Sequence, residues 1–111
     1  MSSSRKLKKE IFKILQEDSF EIIESKLSSF EPENLIHPLF SAICRHEESI
    51  RWNGIFSFGS MMKRLVSRNL EDGRVVMRRF LWSLNDESGG IGWGAPEAMA
   101  ECMVNNVQLL E

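Results

Sequence analysis

The stretch "HPLFSAICRHEESIRWNGIFSFG", residues 37–59, decides the fold. Leu39, Phe40, Ile43 and Cys44 form one apolar stripe, residues 45–49 interrupt it, and Ile50, Trp52, Ile55, Phe56 and Phe58 begin another. Spacings of three and four put such residues on one face of an α-helix, whereas a half-buried strand would alternate. Pro38 reads as the opening of the first of these helices, because its missing N–H is unpaired there anyway. Gly54 reads as a point of close helix–helix approach. Gly59 reads as the break that ends a second helix of about 48–58. The stretch is therefore read as two short helices joined by a polar turn.

The same spacing extends in both directions. Over residues 4–16, Leu7, Ile11, Ile14 and Leu15 make one stripe, and Arg5, Lys6, Lys8, Lys9 and Lys13 cover the other faces. Those cations read as a solvated face; the other reading is a basic amphipathic helix for an acidic or membrane partner. Asp18 or Ser19 caps a second helix bearing Phe20, Ile23, Leu27 and Phe30, and Glu31-Pro32-Glu33-Asn34 punctuates it. Beyond Gly59, Met61, Met62, Leu65 and Val66 carry an apolar face to about Asn69, and Glu71-Asp72-Gly73 reads as a turn. Val75, Val76, Phe80, Leu81 and Leu84 mark a helix over 74–85. A loop over 86–95 follows, and Pro96 opens a last helix with Ala98, Met99, Cys102 and Met103, apolar as far as Val107, Leu109 and Leu110. The expected fold class is all-α, with about five to six helices in one domain over 1–111.

Composition sets limits. A chain of 111 residues fits one domain, and 42% hydrophobic with 27% charged residues is ordinary for a globular protein. The net charge of −2 argues against a dedicated nucleic-acid or membrane-surface protein. Cys44 and Cys102 lie far apart, with no CxxC and no Cys/His spacing, so both read as reduced thiols in the core. His37 and His46 have no metal-ligand spacing, and no metal or cofactor is expected. The N-terminus lacks the apolar run of a secretory signal, and no apolar stretch approaches the roughly 18 residues that span a bilayer. A cytoplasmic location is expected.

Shifting the chain by 26 positions pairs Ile50 with Val76, Ile55 with Leu81, Phe56 with Trp82, Ser57 with Ser83, and Phe58 with Leu84. Such self-similarity points to stacked helical repeats, because one helical pair cannot cover its own apolar face. With Pro38, Leu39, Ile43, Ile50, Arg51, Ile55 and Gly59 in place, residues 37–59 resemble a HEAT-like repeat; "VMRRFLWSLN" (76–85) is similar to a second Arg-bearing helix of that pattern. The chain also resembles the N-terminal part of an uncharacterised bacterial HEAT-repeat family in which an "LNDESGGIGWGAPEAM" segment joins two helices. The resemblance covers about 35–107, with 1–34 matching weakly. It implies antiparallel helices stacked as a short α-α superhelix, and a non-enzymatic scaffold for protein–protein interaction. HEAT-like arrays that act on ligands exist, among them alkylpurine DNA glycosylases, which implies an alternative: an enzyme or ligand binder using a Trp/Asp/Arg cleft.

"RRFLWSLNDESGGIGWGAPEAM", residues 78–99, holds the candidate site. Gly89, Gly90, Gly92 and Gly94 read as structural, supplying tight turns; a phosphate cradle would need a preceding strand, and none is read here. Asp86 and Glu87 are adjacent and diverge, so they read as caps or braces of the loop. Arg51, with Arg78 or Arg79, is expected to pair with acidic turn residues of a neighbouring repeat. Trp52 and Trp82 read as packing residues. Trp93, on the glycine loop, is either folded back over the helix ends or displayed to a partner. The candidate binding set is Trp93, Arg78, Arg79, Trp82, Asp86 and Glu87. An unidentified protein partner is expected, together with self-association through the apolar last helix.

Overall fold

A computed structural model describes residues 2–84 and 95–106, with side chains from 5 to 82 and from 95 onward. Among these residues the chain is all-helical, with no strand: α1 (Ser2–Ile14), α2 (Phe20–Leu27), α3 (Pro32–Ala42), α4 (Glu48–Arg68), α5 (Leu70–Leu84) and α6 (Ala95–Asn105). Most of the expected stripes are buried, but Trp52 and Phe56 of α4 and Val75 and Leu81 of α5 are exposed. Ile11, Ile14 and Leu15 of α1, Ile23 and Leu27 of α2, and Leu39, Phe40 and Ile43 at α3 all enter one core. Ser19 stands at the N-cap position of α2 in extended backbone (φ −117, ψ 131), but its side chain makes no capping hydrogen bond.

Three boundaries differ from the sequence reading. The helix assigned to Pro38 begins six residues earlier, with Pro32 at its first position and Pro38 inside. Pro32 is suited to that place because its lack of an N–H costs nothing there. Pro38 removes one bond to the carbonyl four residues back, a loss borne while its ring is buried in the core. Glu71-Asp72-Gly73 is not a turn but the first turn of α5. Asn69 supplies the start, its Oδ1 accepting the Glu71 N–H at 2.9 Å, and the two acidic residues complement the helix N-terminus. Gly59 does not break its helix either: α4 runs 21 residues without interruption.

Gly59 is tolerated because of what lies against it. A Cβ there would stand 2.7 Å from Glu101 Cγ and 2.9 Å from Asn105 Nδ2. Without that Cβ, α6 beds directly onto α4, and the Cys102 thiol sits 3.9 Å from the Phe58 carbonyl. Gly54 does the same toward α3, where a Cβ would meet Ala42 Cβ at 3.0 Å. That close approach was the sequence expectation. α4 is thus the central helix, packed by α2, α3, α5 and α6. Where α3, α4 and α5 converge, Phe40, Phe58 and Phe80 form a triangle with centroids 4.7 to 4.9 Å apart. Such ring pairs add about 0.5–1.5 kcal/mol beyond burial alone.

Long-range polar contacts close the helix ends. Asn53 of α4 donates to the Leu15 carbonyl beyond α1 at 2.8 Å. Arg64 of α4 donates to the carbonyls of Leu27, Ser28 and Phe30 at 3.4, 3.3 and 2.5 Å. A helix leaves its last carbonyls without intrahelical partners, and one guanidinium fork answers several of them at the end of α2.

Candidate functional site

Two surfaces of the described residues carry features beyond folding. The first is the outward face of α5. Val75, Arg78 and Trp82 follow one another at three and four, so they share a stripe. Val75 is 52% exposed and Trp82 is 80% exposed. The reading of Trp82 as a packing residue is therefore corrected. Its neighbours Phe80 and Met77 take the core-facing positions, and Trp82 falls on the opposite side of the helix. Trp52, also read as a packing residue, is likewise exposed (41%), beside Phe56 with ring centroids 6.0 Å apart.

Among the described residues, Arg78 and Arg79 make no ion pair with an acidic residue of a neighbouring helix, which departs from the pairing expected of them. Arg78 pairs within α5, its Nη2 donating to Glu71 Oε2 at 2.8 Å, and Arg74 stands 3.9 Å from the same carboxylate. The hydrogen bond from Arg78 holds the Glu71 carboxyl below its ordinary range. Arg79 faces elsewhere, with its guanidinium 4.2 Å from the Phe40 ring centroid. Arg51 donates to the carbonyls of Arg45 and His46 at 3.1 and 3.4 Å, bracing the α3–α4 turn. The one-residue offset between Arg78 and Arg79 turns their side chains about 100° apart on the helix, so they do not act as a pair. Arg78 and Trp82 thus share a face, and Arg79 leaves it. Asp86, Glu87, Trp93 and the glycines 89, 90, 92 and 94 lie outside the described residues.

The cysteines divide. Cys102 is fully buried and burial pushes its thiol up to about 12. Cys44 is exposed, contrary to its expected place in the core, because it falls just past the end of α3 on the outer side. Its thiol donates to the Phe40 carbonyl at 3.3 Å, and partial burial raises its pKa. Among the described residues no group of three or more His, Cys, Asp or Glu could hold a metal ion. No helix there is long and apolar enough to cross a membrane.

The second surface is a groove of about 480 Å³ between α2 and α4, which sequence reasoning did not find. Phe20, Leu27, Leu35 and Met61 give it an apolar lining, and Ser57, Ser60, Lys63, Arg64 and Ser67 line it from α4. Ser60 is engaged by the Glu24 carboxylate across the groove. Ser57 is only 2% exposed, and its enclosed hydroxyl has no hydrogen-bond partner among the described residues. The spacing is present in the sequence: Ser57, Ser60, Arg64 and Ser67 recur at three and four along α4. Helical spacing alone does not say whether such a polar stripe faces water or a cleft.

Comparison with protein-family models, curated proteins and solved structures finds no match.

Proposed function

We propose that the protein is a non-enzymatic HEAT-like helical scaffold that mediates protein–protein interaction, and that the outward face of α5 is its contact surface. The observation that carries this reading is Trp82, 80% exposed in line with Val75 and Arg78. Trp and Arg dominate the energetics of protein interfaces, and a displayed indole loses little conformational freedom on docking. The partner that fits is an apolar pocket rimmed by carboxylates, which would compete with Glu71 for the Arg78 guanidinium. A stacked-repeat architecture is supported by the neighbour pattern: the principal helix contacts join elements one or two apart in chain order. The 26-residue register is supported in part, with Ile50 and Val76 both buried and Phe56 and Trp82 both exposed, while Ile55 is buried and Leu81 is not. The two free thiols fit a reducing cytoplasm. Val104, 77% exposed on α6, is where self-association would occur.

The test is a photo-crosslinking amino acid placed at position 82, with position 63 as a control elsewhere on the surface. The expected result is one protein joined through position 82 and not through 63, and lost when Arg78→Glu is added. Equal labelling from both positions would refute the reading.

A further inference from the structure

α1 carries its charge in a way that folding does not require. Arg5, Lys6, Lys8, Lys9 and Lys13 are five of the chain's 14 cations, and one carboxylate, Glu10, lies among them. Residues 1–13 therefore hold a net charge of +4 and the rest of the chain −6, so the overall −2 is the sum of two opposed regions. All five side chains are exposed, and none forms an ion pair with a described residue. Elsewhere Lys26, Arg45, Arg68, Arg74 and Arg78 all face carboxylates. By helical geometry Arg5, Lys9 and Lys13 form a row about 12 Å long, with Lys6 beside it, on the side opposite the buried Ile11. Like charges four residues apart destabilise a helix, and α1 has no acidic residue in its first turn to offset them. The apolar side of α1 is spent on the core, with Ile11, Phe12, Ile14 and Leu15 all buried. What this row offers outward is charge without apolar surface.

We propose that the outward row of α1 holds the protein on an anionic lipid surface by electrostatic adsorption, without insertion of the helix. Four of the five cations are lysines, hydrated point charges on flexible stems, which suit a diffuse plane of charge better than a shaped carboxylate site. Lysine is also depleted in protein–protein interfaces, which centre on aromatic or apolar anchors, and the row has none. A helix seated in a duplex groove meets phosphates along both flanks, and here one flank carries Glu10. No aromatic stands in the row to stack on unpaired bases. α1 packs chiefly on α2 and α3, and the exposed row is clear of both. The acidic remainder turns the molecule rather than repelling it. A dipolar body 29 to 34 Å across presents its positive side to an anionic plane, and charges beyond about 8 Å are largely screened at physiological salt.

The test is co-sedimentation of the whole chain with vesicles of phosphatidylcholine alone, and of roughly three parts phosphatidylcholine to one part phosphatidylserine. Binding is expected only with phosphatidylserine, falling steeply from low to high salt. Each cation near such a surface is worth about a fivefold change in affinity. Lys9→Gln should therefore weaken binding about fivefold, and Lys9→Gln with Lys13→Gln about 25-fold. Lys63→Gln is the control. It removes the same charge from an exposed lysine of α4 that makes no ion pair with a described residue, and it should leave binding unchanged. The melting temperatures of the α1 variants should hold or rise, because glutamine relieves like-charge contacts along the helix. Absence of binding to the anionic vesicles at low salt overturns the proposal, as does equal weakening by Lys63→Gln or binding that persists at high salt. Tighter binding to duplex DNA or to polyglutamate than to the vesicles overturns it in favour of a nucleic-acid or an acidic protein partner.

Discussion

Replacing Gly59 by alanine tests the packing that sets α4 as the central helix. In an open helix the change would stabilise by about 1 kcal/mol, because glycine is the poorer helix former. Here the new Cβ would stand 2.7 Å from Glu101 Cγ and 3.3 Å from the Glu101 carbonyl oxygen. Glu101 Cγ is one bond from the α6 Cβ, so relief requires a new Glu101 rotamer or a shift of α6. Overpacking of this kind costs about 1–3 kcal/mol. The net is a destabilisation of about 1 kcal/mol. For a chain of 111 residues that lowers the melting temperature by about 4 °C. Glu101→Ala reverses the sign. It removes the Cγ, the nearest atom to the new Cβ, and one of the two acceptors of Asn105 Nδ2, leaving that amide on the residue-101 carbonyl at 2.8 Å. In that background Gly59→Ala should stabilise by about 0.5 kcal/mol, a coupling of about 1.5 kcal/mol in a double-mutant cycle. Urea denaturation followed by far-ultraviolet circular dichroism measures all four corners. If Gly59→Ala raises stability in the natural background, with no coupling to position 101, α6 does not lie on Gly59 and the reasoning fails.

Arg64→Lys should destabilise nearly as much as Arg64→Ala, by about 1–3 kcal/mol, because an ammonium cannot reach three carbonyls with one planar fork; hydrogen exchange should show the loss first in the last turn of α2. The thiols should separate in a disulfide-exchange assay near pH 8, with Cys44 reacting slowly in the native protein and Cys102 only on unfolding. Cys102 also gives stability a pH dependence: its folded pKa is raised from an ordinary 9.0 to about 12, so the unfolded chain loses its proton first and stability falls as pH rises above 9. At pH 10 the loss is about 1.4 kcal/mol, and Cys102→Ala should remove that part of the slope. Trp82→Ala should change stability by less than about 0.5 kcal/mol, since the indole is 80% exposed; a larger loss would mean that it packs in the fold.

The helical character of the chain was legible because it rests on local spacing. Stripes such as Ile11–Ile14–Leu15 or Met61–Met62–Leu65 need no knowledge of the partner to be recognised. The errors all arose where a residue's local preference opposed its tertiary setting. Pro38 looked like a helix start because proline prefers one; Pro32 competed for the same role and took it. Gly73 looked like a turn because Glu-Asp-Gly has turn composition, yet the acidic pair is also what a helix N-terminus favours. Trp82 was read as a packing residue, and its exposure depended on which of residues 80 and 82 would face Phe40 and Phe58.

The hardest part to read was α4, and the reason also explains why the groove was missed. A helix packed on one side shows one stripe. α4 is packed on several, by α3 at Gly54, α6 at Gly59, and the Phe40–Phe80 pair at Phe58. Its buried set therefore includes glycines, a serine and methionines around much of the circumference, and the sequence resembles two short helices with a break. In such a helix a polar residue carries more information than an apolar one. Ser57 is held at 2% exposure between Phe56 and Phe58, in a helix whose other fully enclosed positions are apolar or glycine. Packing has no use for that hydroxyl, and helix propensity disfavours serine relative to alanine.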